Sequence, residues 1–378
     1  MININPVNNF FKSNVISFAQ KIKNPSTAKG IYRNLRPLEK DTVSFTSAQN
    51  TNTQALNKSL MEAFDNRIAC QEVHQNGEPV RKDLEASLKA SLGKFIYRES
   101  SNPEGFIQEI ITRVKAPESI REKATTTLAK MIKEQKRAFD PENPEDIKAN
   151  IGDIVGGRVI LRNPSHDNTA KIIDELIKNV LARKLKITRI ENYTNSELGD
   201  QYEYFSQKDL ERLKEAVNQT YKTNLEVINN QKNTGYMALH LDVDFSNPEY
   251  RTKNNNYKGE IQIVGDDVSK MKDVEDFCYK LKKGMEIRSG NPAYKAFSDY
   301  FLKHLNNEEG KEKFEEYTRK AYAIQRMKEP AEAKKGKKNY IFPTATECGV
   351  SGIDSGLDFN ILYRLKELSD QIYDIIKD

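Results

Sequence analysis

The chain has 378 residues, of which 37% are hydrophobic and 30% charged, and its formal net charge is +5. These values are typical of a globular protein of one to three domains and exclude a histone-like basic protein. Its apolar runs are too short to span a bilayer, and residues 1–18 lack the pattern of a secretory signal. The three scattered cysteines argue against a disulfide framework or a zinc cluster. We therefore expect a cytoplasmic protein without membrane contact.

The amino-terminal part of the chain shows two compositions. Residues 1–55 are rich in Asn, Ser, Thr and Lys and have no sustained hydrophobic period, which predicts disorder. From 56 to 97, apolar residues recur three and four positions apart, which predicts two helices interrupted by the turn "HQNGEP". We assign 1–55 to a disordered segment and 56–105 to a helical extension.

Strand and helix patterns alternate through the centre of the chain. Strands are predicted at 106–114, 153–162, 185–193, 239–245 and 258–265, and helices at 117–139, 168–183, 207–221 and 267–284. This alternation predicts an α/β or α+β sheet domain over 106–284. After 285 the pattern predicts a helical extension to 378, with helices at 291–305, 308–328 and 360–377.

The stretch "RVKAPESIREK" (113–123) joins the end of a predicted strand to the start of a predicted helix. Arg113 and Lys115 lie at the strand end, and Ser119 and Lys123 lie four residues apart on the helix. Three cations and a hydroxyl at such a junction would suit a polyphosphate, because they supply both charge and hydrogen-bond donors. The alternative is a solvated basic surface.

Two further strands carry acidic residues. In "DIVGGRVIL", Asp153 begins the strand and Arg158 follows five residues later; in "KGEIQIVG", Glu260 and Gln262 share one face. Two carboxylates beside each other at a sheet would form an oxygen-ligand site for Mg²⁺, as phosphoryl-transfer enzymes use. Each motif taken alone is also compatible with an ordinary turn or an exposed strand face.

The stretch "KNTGYMALHLDVDF" (232–245) reads as a turn followed by an alternating strand. Tyr236 and His240 share the polar face of this strand, and Lys232 precedes the turn. An exposed tyrosine on that face would offer a stacking surface for a nucleotide base. The alternative is an ordinary aromatic residue on an edge strand. A Walker-type phosphate loop is absent from the sequence.

In order and spacing, the motifs "RVKAPESIREK", "DIVGGRVIL", "KNTGYMALH" and "GEIQIVG" resemble the synthetase domain of the RelA/SpoT family, which makes the alarmones (p)ppGpp. The resemblance covers about 106–284. It implies a mixed β-sheet flanked by helices, related to nucleotidyltransferase folds, in a stand-alone synthetase that transfers the β,γ-pyrophosphate of ATP to the 3′-hydroxyl of GTP or GDP.

The resemblance also implies roles for individual residues. Asp153 and Glu260 would be catalytic and would bind Mg²⁺. The side chains that would bind ATP are Arg113, Lys115, Ser119, Lys123 and Arg158. The side chains that would bind the acceptor are Lys232, Tyr236, His240 and Gln262.

Four positions depart from the family pattern, and all fall on the acceptor half or the closing helix: Thr234, Ala238, Val264 and Asp276. Small toxic members of the family instead pyrophosphorylate the 3′ end of tRNA, and the lysine-rich runs at 181–186 and 334–340 would suit an RNA partner. A catalytically inactive nucleotide-binding or interaction module is the third reading. The acceptor, the oligomeric state and any regulator or antitoxin stay open at the level of sequence.

Overall fold

A computed structural model of the protein describes residues 60–62, 64–134, 136, 138–245, 257–282, 299, 303–304, 308–332 and 340–367. The predicted disorder over 1–55 and most of the predicted helix at 291–305 lie outside these ranges. The chain divides into two compact units. The first contains Met1–Lys82, Arg113–Gly156 and Arg251–Gly259, and the second contains Asp83–Thr112, Gly157–Tyr250 and Glu260–Asp378.

A mixed sheet organises the fold, as predicted, and it has six strands, one more than the sequence predicts. Its strands are β1 (Ile107–Val114), β2 (Val155–Leu161), β3 (Ile187–Thr194), β4 (Val227–Gln231), β5 (Ala238–Asp244) and β6 (Lys258–Gly265). Their order across the sheet is β1-β2-β6-β5-β3-β4. Strand β3 pairs in parallel with β4 and antiparallel with β5, with Glu191 opposite His240. The polar residues of β3 and β5 are therefore neighbours on one face.

The helices alternate with the strands. They are α1 (Arg67–Leu92), α2 (Pro117–Lys133), α3 (Pro144–Asn150), α4 (His166–Leu181), α5 (Gln207–Tyr221), α6 (Asp266–Lys282) and α7 (Glu308–Glu332), and a further helix covers 359–367. The predicted positions of α2, α4, α5, α6 and α7 are confirmed, although α2 ends six residues before the predicted end at 139. None of the helices described is both long and apolar enough to cross a bilayer.

The helices α4 and α5 show why these segments are helical. In α4, Ile172, Ile173, Leu176 and Val180 are buried at the spacing of one helix face. Both helices begin at a serine cap, because the hydroxyls of Ser165 and Ser206 accept from the backbone N–H three residues later. The apolar stripe and the cap together specify each helix and its start.

The predicted turn at "HQNGEP" within 56–97 is wrong. Helix α1 is continuous from Arg67 to Leu92 and contains both Gly77 and Pro79 of the "HQNGEP" segment. The buried residues Val73, Val80 and Leu84 keep helical spacing through this segment. Tertiary burial of one face therefore outweighs the local preference of Gly and Pro for a turn.

Two elements have no counterpart in the sequence prediction. Strand β4, "VINNQ", lies at the end of the strand order and is mostly exposed, so it has little of the apolar alternation that marks a strand. Helix α3 has only seven residues, but its Asn143 cap and the following Pro144 are typical of a helix start.

Gly105 lies where two backbone segments approach each other closely. A Cβ placed there would lie 2.5 Å from the backbone nitrogen and the Cα of Tyr97. We expect Gly105→Ala to lower the free energy of unfolding by about 1–3 kcal/mol, because backbone atoms have to move. The matched control is Gly93→Ala, since a Cβ at Gly93 meets no heavy atom within 4 Å. Denaturant unfolding of both variants checks this, and equal stabilities would contradict the assigned packing.

Candidate functional site

In the first unit, three of the predicted site residues come together. Lys115 follows β1 and its Nζ lies 2.6 Å from Oδ2 of Asp153, while Lys123 of α2 places its Nζ 3.5 Å from the same oxygen. The backbone N–H of Lys115 donates to the carbonyl of Ile154, which holds the two segments side by side. The side chains of Arg113 and Ser119 are exposed. The predicted polyphosphate cluster thus contains a carboxylate that two lysines partly neutralise.

Asp153 has a second carboxylate oxygen, Oδ1, which is buried and has no hydrogen-bond partner among the described residues. An unpaired buried carboxylate oxygen is costly, and a cation would satisfy it. Asp153 therefore fits the role of a metal ligand. Within the described ranges, no group of three or more His, Cys, Asp or Glu side chains is arranged to hold a metal ion without further ligands.

In the second unit, five of the predicted site residues form one hydrogen-bonded chain. Nε of Arg158 on β2 donates to Oε1 of Gln262 on β6 (3.2 Å), and Nε2 of Gln262 donates to Oε1 of Glu260. Oε2 of Glu260 lies 3.2 Å from Nδ1 of His240 on β5, and Nε2 of His240 lies 3.0 Å from the hydroxyl of Tyr236. We call this series of contacts the Arg158–Tyr236 chain.

The contacts of His240 define where its hydrogen lies. Glu260 is an acceptor, so Nδ1 of His240 carries the hydrogen and donates it to the carboxylate. Burial raises the pKa of Tyr236 far above its usual value, so its hydroxyl stays protonated and donates to Nε2. Of the two neutral tautomers of His240, this one satisfies both contacts at once. It leaves Glu260 as the negatively charged member of the pair.

The expectation that Tyr236 and His240 point outward is wrong. Tyr236 is 1% exposed and His240 is 6% exposed. The reason is that β5 is an interior strand, between β6 and β3, and that its polar face is also covered. The ring of Tyr236 lies 5.9 Å from that of Tyr193 on β3 and 6.4 Å from that of Tyr322 on α7. The ring of His240 also lies beside it, with centres 5.7 Å apart.

Two lysines lie beside this aromatic group. Nζ of Lys232 is 4.6 Å from the centre of the Tyr193 ring and 4.9 Å from that of Tyr236. Nζ of Lys272 on α6 is 5.7 Å from the centre of the Tyr236 ring. Burial, and then the positive charge of Lys272, lower the pKa of Lys232. A ligand anion at this position would relieve the repulsion between the two ammonium groups.

Two residues that the sequence analysis did not single out support the Arg158–Tyr236 chain. Asp273 on α6 accepts from Nη1 of Arg158 at 3.1 Å and so extends the chain at its cationic end. The ring of Tyr193 lies 4.8 Å from that of His240. Ser269 and Asp273 lie four residues apart on α6 and both accept from the Arg158 guanidinium. This spacing, which places two side chains on one helix face, is visible in the sequence. No spacing in the sequence points to Tyr193, because its contact with His240 depends on the pairing of β3 with β5.

Comparisons with known proteins give a limited result. No protein-family model matches the chain, and no curated protein matches it. Among solved structures, it is similar to that of a GTP pyrophosphokinase family protein from Streptococcus pneumoniae, with 17% identity and a TM-score of 0.30 over 73% of this chain and 97% of that one. It is also similar to smu.1046c from Streptococcus mutans UA159, with 18% identity and a TM-score of 0.28 over 64% and 88% of the two chains. Similarity at this level carries no argument about activity, which must rest on the residues themselves.

The environment of Asp242 predicts how the stability of the protein depends on pH. Burial, and then the negative charge of Glu260, raise the pKa of Asp242 from 3.8 to about 6. Because the folded-state pKa of Asp242 is raised, the contribution of this carboxyl to the free energy of unfolding is fully present below its unfolded-state pKa and is lost as the pH rises through about 6. We expect Asp242→Asn to gain stability over the native chain across this interval, by about 1 kcal/mol after discounting for the exposed part of the side chain.

Thermal unfolding of both proteins from about pH 4.5 to about pH 8 measures this difference. Because the effect is a difference between two proteins at each pH, the titration of all other groups cancels to first order. A difference in Tm that stays constant across the range would contradict the assigned environment of Asp242.

Proposed function

We propose that the protein is an ATP-dependent pyrophosphokinase that transfers the β,γ-pyrophosphate of ATP to the 3′-hydroxyl of GTP or GDP, with cleavage of the α,β-phosphoanhydride bond and release of AMP. The observation that carries this proposal is the Arg158–Tyr236 chain. It joins, through four consecutive hydrogen bonds, five residues that the motif resemblance had singled out from separate parts of the sequence. These residues belong to three motifs that lie far apart in the sequence, so their meeting supports a shared chemical role.

The lysines beside Asp153 support the part of the proposal that concerns ATP. Lys115 and Lys123 both contact its carboxylate, so they are already directed at one anionic group. A triphosphate offers more negative charge than one carboxylate, and it would recruit the same ammonium groups. Asp153 would hold Mg²⁺ through its unpaired Oδ1. When bound, Mg²⁺ neutralises phosphate charge and polarises the phosphoryl group. The metal role of Glu260 stays a prediction from the resemblance.

Glu260 is suited to take a proton from the acceptor hydroxyl. Its carboxylate accepts from His240 and Gln262, which fix its orientation without supplying a full positive charge. A carboxylate held by neutral donors keeps more basicity than one paired directly with arginine or lysine. Gln262 links Arg158 to Glu260. A Gln at 262 is therefore better suited than a cation to a general base at 260.

Transfer of label from ATP tests the reaction. The purified full-length chain is incubated with Mg²⁺ and γ-labelled ATP, together with GDP, GTP or deacylated tRNA in separate reactions. We expect the label to appear on GDP or GTP as a 3′-pyrophosphate. Label on tRNA alone would show that the acceptor is RNA rather than a guanine nucleotide. Absence of label on every acceptor, with ATP still bound, would contradict the pyrophosphokinase proposal and favour a binding module.

The role of Glu260 is tested by Glu260→Gln. The substitution keeps the size of the side chain and removes the charge, so we expect a fall in kcat of roughly 100-fold or more with little change in ATP affinity. Glu109→Gln is the matched control, because Glu109 is an exposed glutamate on another strand of the same sheet, β1. Turnover and ATP binding are measured for both variants. Full turnover by Glu260→Gln would show that another group accepts the proton.

A further inference from the structure

Helix α7 lies over the turn that carries Tyr236. The ring of Tyr322 on α7 meets the ring of Tyr236 edge-on, with centres 6.4 Å apart and planes at 78°. Tyr193 and His240 contact the Tyr236 ring from other directions. These contacts leave Tyr236 1% exposed. A planar base therefore has no free ring face to stack on while Tyr322 stays in this position.

The backbones of the turn and of α7 are tied together by one side chain. Nδ2 of Asn195 donates both to the carbonyl of Gly235 (3.0 Å) and to the carbonyl of Arg319 (2.9 Å). Gly235 has a φ of +78°, and a Cβ there would lie 2.7 Å from the Cα of Arg319. Only glycine combines this backbone conformation with so close an approach. The turn is thus built to receive α7.

The two ends of α7 are held by different kinds of contact. Towards its carboxyl end, Arg326 and Glu329 form a buried ion pair, and Nε of Arg326 donates to the carbonyl of Tyr202. Over the turn, Arg319 pairs with Glu197 at 2.7 Å, and both side chains are about one-third exposed. Buried pairs are costly to break, whereas partly exposed pairs exchange readily with water. The ion pair over the turn is therefore the weaker of the two, whereas Thr318, Ala321 and Tyr322 of the same segment are fully buried and would be exposed if the segment moved.

Polar side chains of the turn, of α6 and of α7 meet beneath this segment. Thr234, Glu275 of α6 and Tyr322 are buried there, and the Glu275 carboxylate interacts with the hydroxyls of both Thr234 and Tyr322. Burial, and then the charge of Glu275, raise the pKa of Tyr322. Tyr322 is therefore tied to the site by a polar contact as well as by its ring.

We infer that α7 is an intramolecular cover of the Tyr236 site, which must move off the 232–237 turn before an acceptor base stacks on Tyr236. We call the contacts of Glu315, Arg319 and Tyr322 with this turn and its neighbours the α7 cover. The inference rests on the proposed function, since it concerns access of the acceptor to the site. In the covered state the protein binds ATP normally and the acceptor weakly.

Two variants are designed to open the cover without substituting any residue of the Arg158–Tyr236 chain. Glu315→Ala combined with Arg319→Ala removes the contacts of these side chains with Asn233 and Glu197. Tyr322→Ala removes the ring that meets Tyr236. Lys320→Ala is the matched control, because Lys320 is the next residue of the same helix and pairs with Glu316 of α7 itself.

Two measurements are made on each full-length protein. Hydrogen exchange of the amides at 232–240 reports the cover directly and does not depend on activity. Fluorescence anisotropy of a labelled GDP, with calorimetry of ATP, reports access to the two substrate sites. Relative to Lys320→Ala, we expect at least tenfold faster exchange at 232–240 and at least tenfold tighter GDP binding in the opened variants, with ATP affinity changed by less than twofold.

The outcomes separate the inference from the proposed function. Unchanged exchange at 232–240 in both folded variants would overturn the cover. If the opened variants exchange faster and still bind ATP, but their affinity for GDP is unchanged, then α7 does not control access of the acceptor. This result would also overturn the inference. If no protein, opened or covered, binds ATP, the proposed function fails, and the inference about the acceptor fails with it.

Discussion

The candidate site depends on the burial of a connected set of polar side chains at the centre of a sheet. The Arg158–Tyr236 chain runs across the neighbouring strands β2, β6 and β5, so the pairing of these strands determines which side chains meet. Burial would destabilise each group alone, but each has a partner with an appropriate donor or acceptor. Gln262 uses both ends of its amide, towards Arg158 and towards Glu260. The chain therefore holds the carboxylate of Glu260 in one orientation.

The same constraint explains why Tyr236 is buried. A tyrosine whose hydroxyl donates to His240 lies on a covered face, because His240 is itself only 6% exposed. The covering group is Tyr322 of α7, which is itself buried, and the ion pair of Arg319 with Glu197 over the turn is partly exposed. The strands thus define the chemical groups, and the helix covers the Tyr236 ring. The candidate catalytic groups therefore lie on the strands, whereas access to the Tyr236 ring depends on α7.

Much of this organisation is predictable from sequence because it is local. The apolar spacing and serine cap of α5 predict the helix at 207–221, and the alternation in β6 predicts the strand at 258–265. Elements without local signals were missed, such as the exposed edge strand β4. The motifs identified Glu260, Gln262 and His240 as candidates. Their mutual contacts, the ion pair of Arg158 with Asp273 and the cover by Tyr322 depend on residues more than 80 positions apart, or on strand pairing, and therefore required the structure.

The nitrogen resonances of the His240 imidazole test the central claim most directly, because this ring joins the charged carboxylate to the buried tyrosine. The account predicts that Nδ1 carries the hydrogen and Nε2 accepts one, and that both resonances shift when a nucleotide or RNA acceptor binds. A hydrogen on Nε2 with a bare Nδ1 would mean that Glu260 does not receive a hydrogen bond from His240. Resonances that no acceptor shifts would mean that the Arg158–Tyr236 chain is structural and that acceptor chemistry occurs elsewhere.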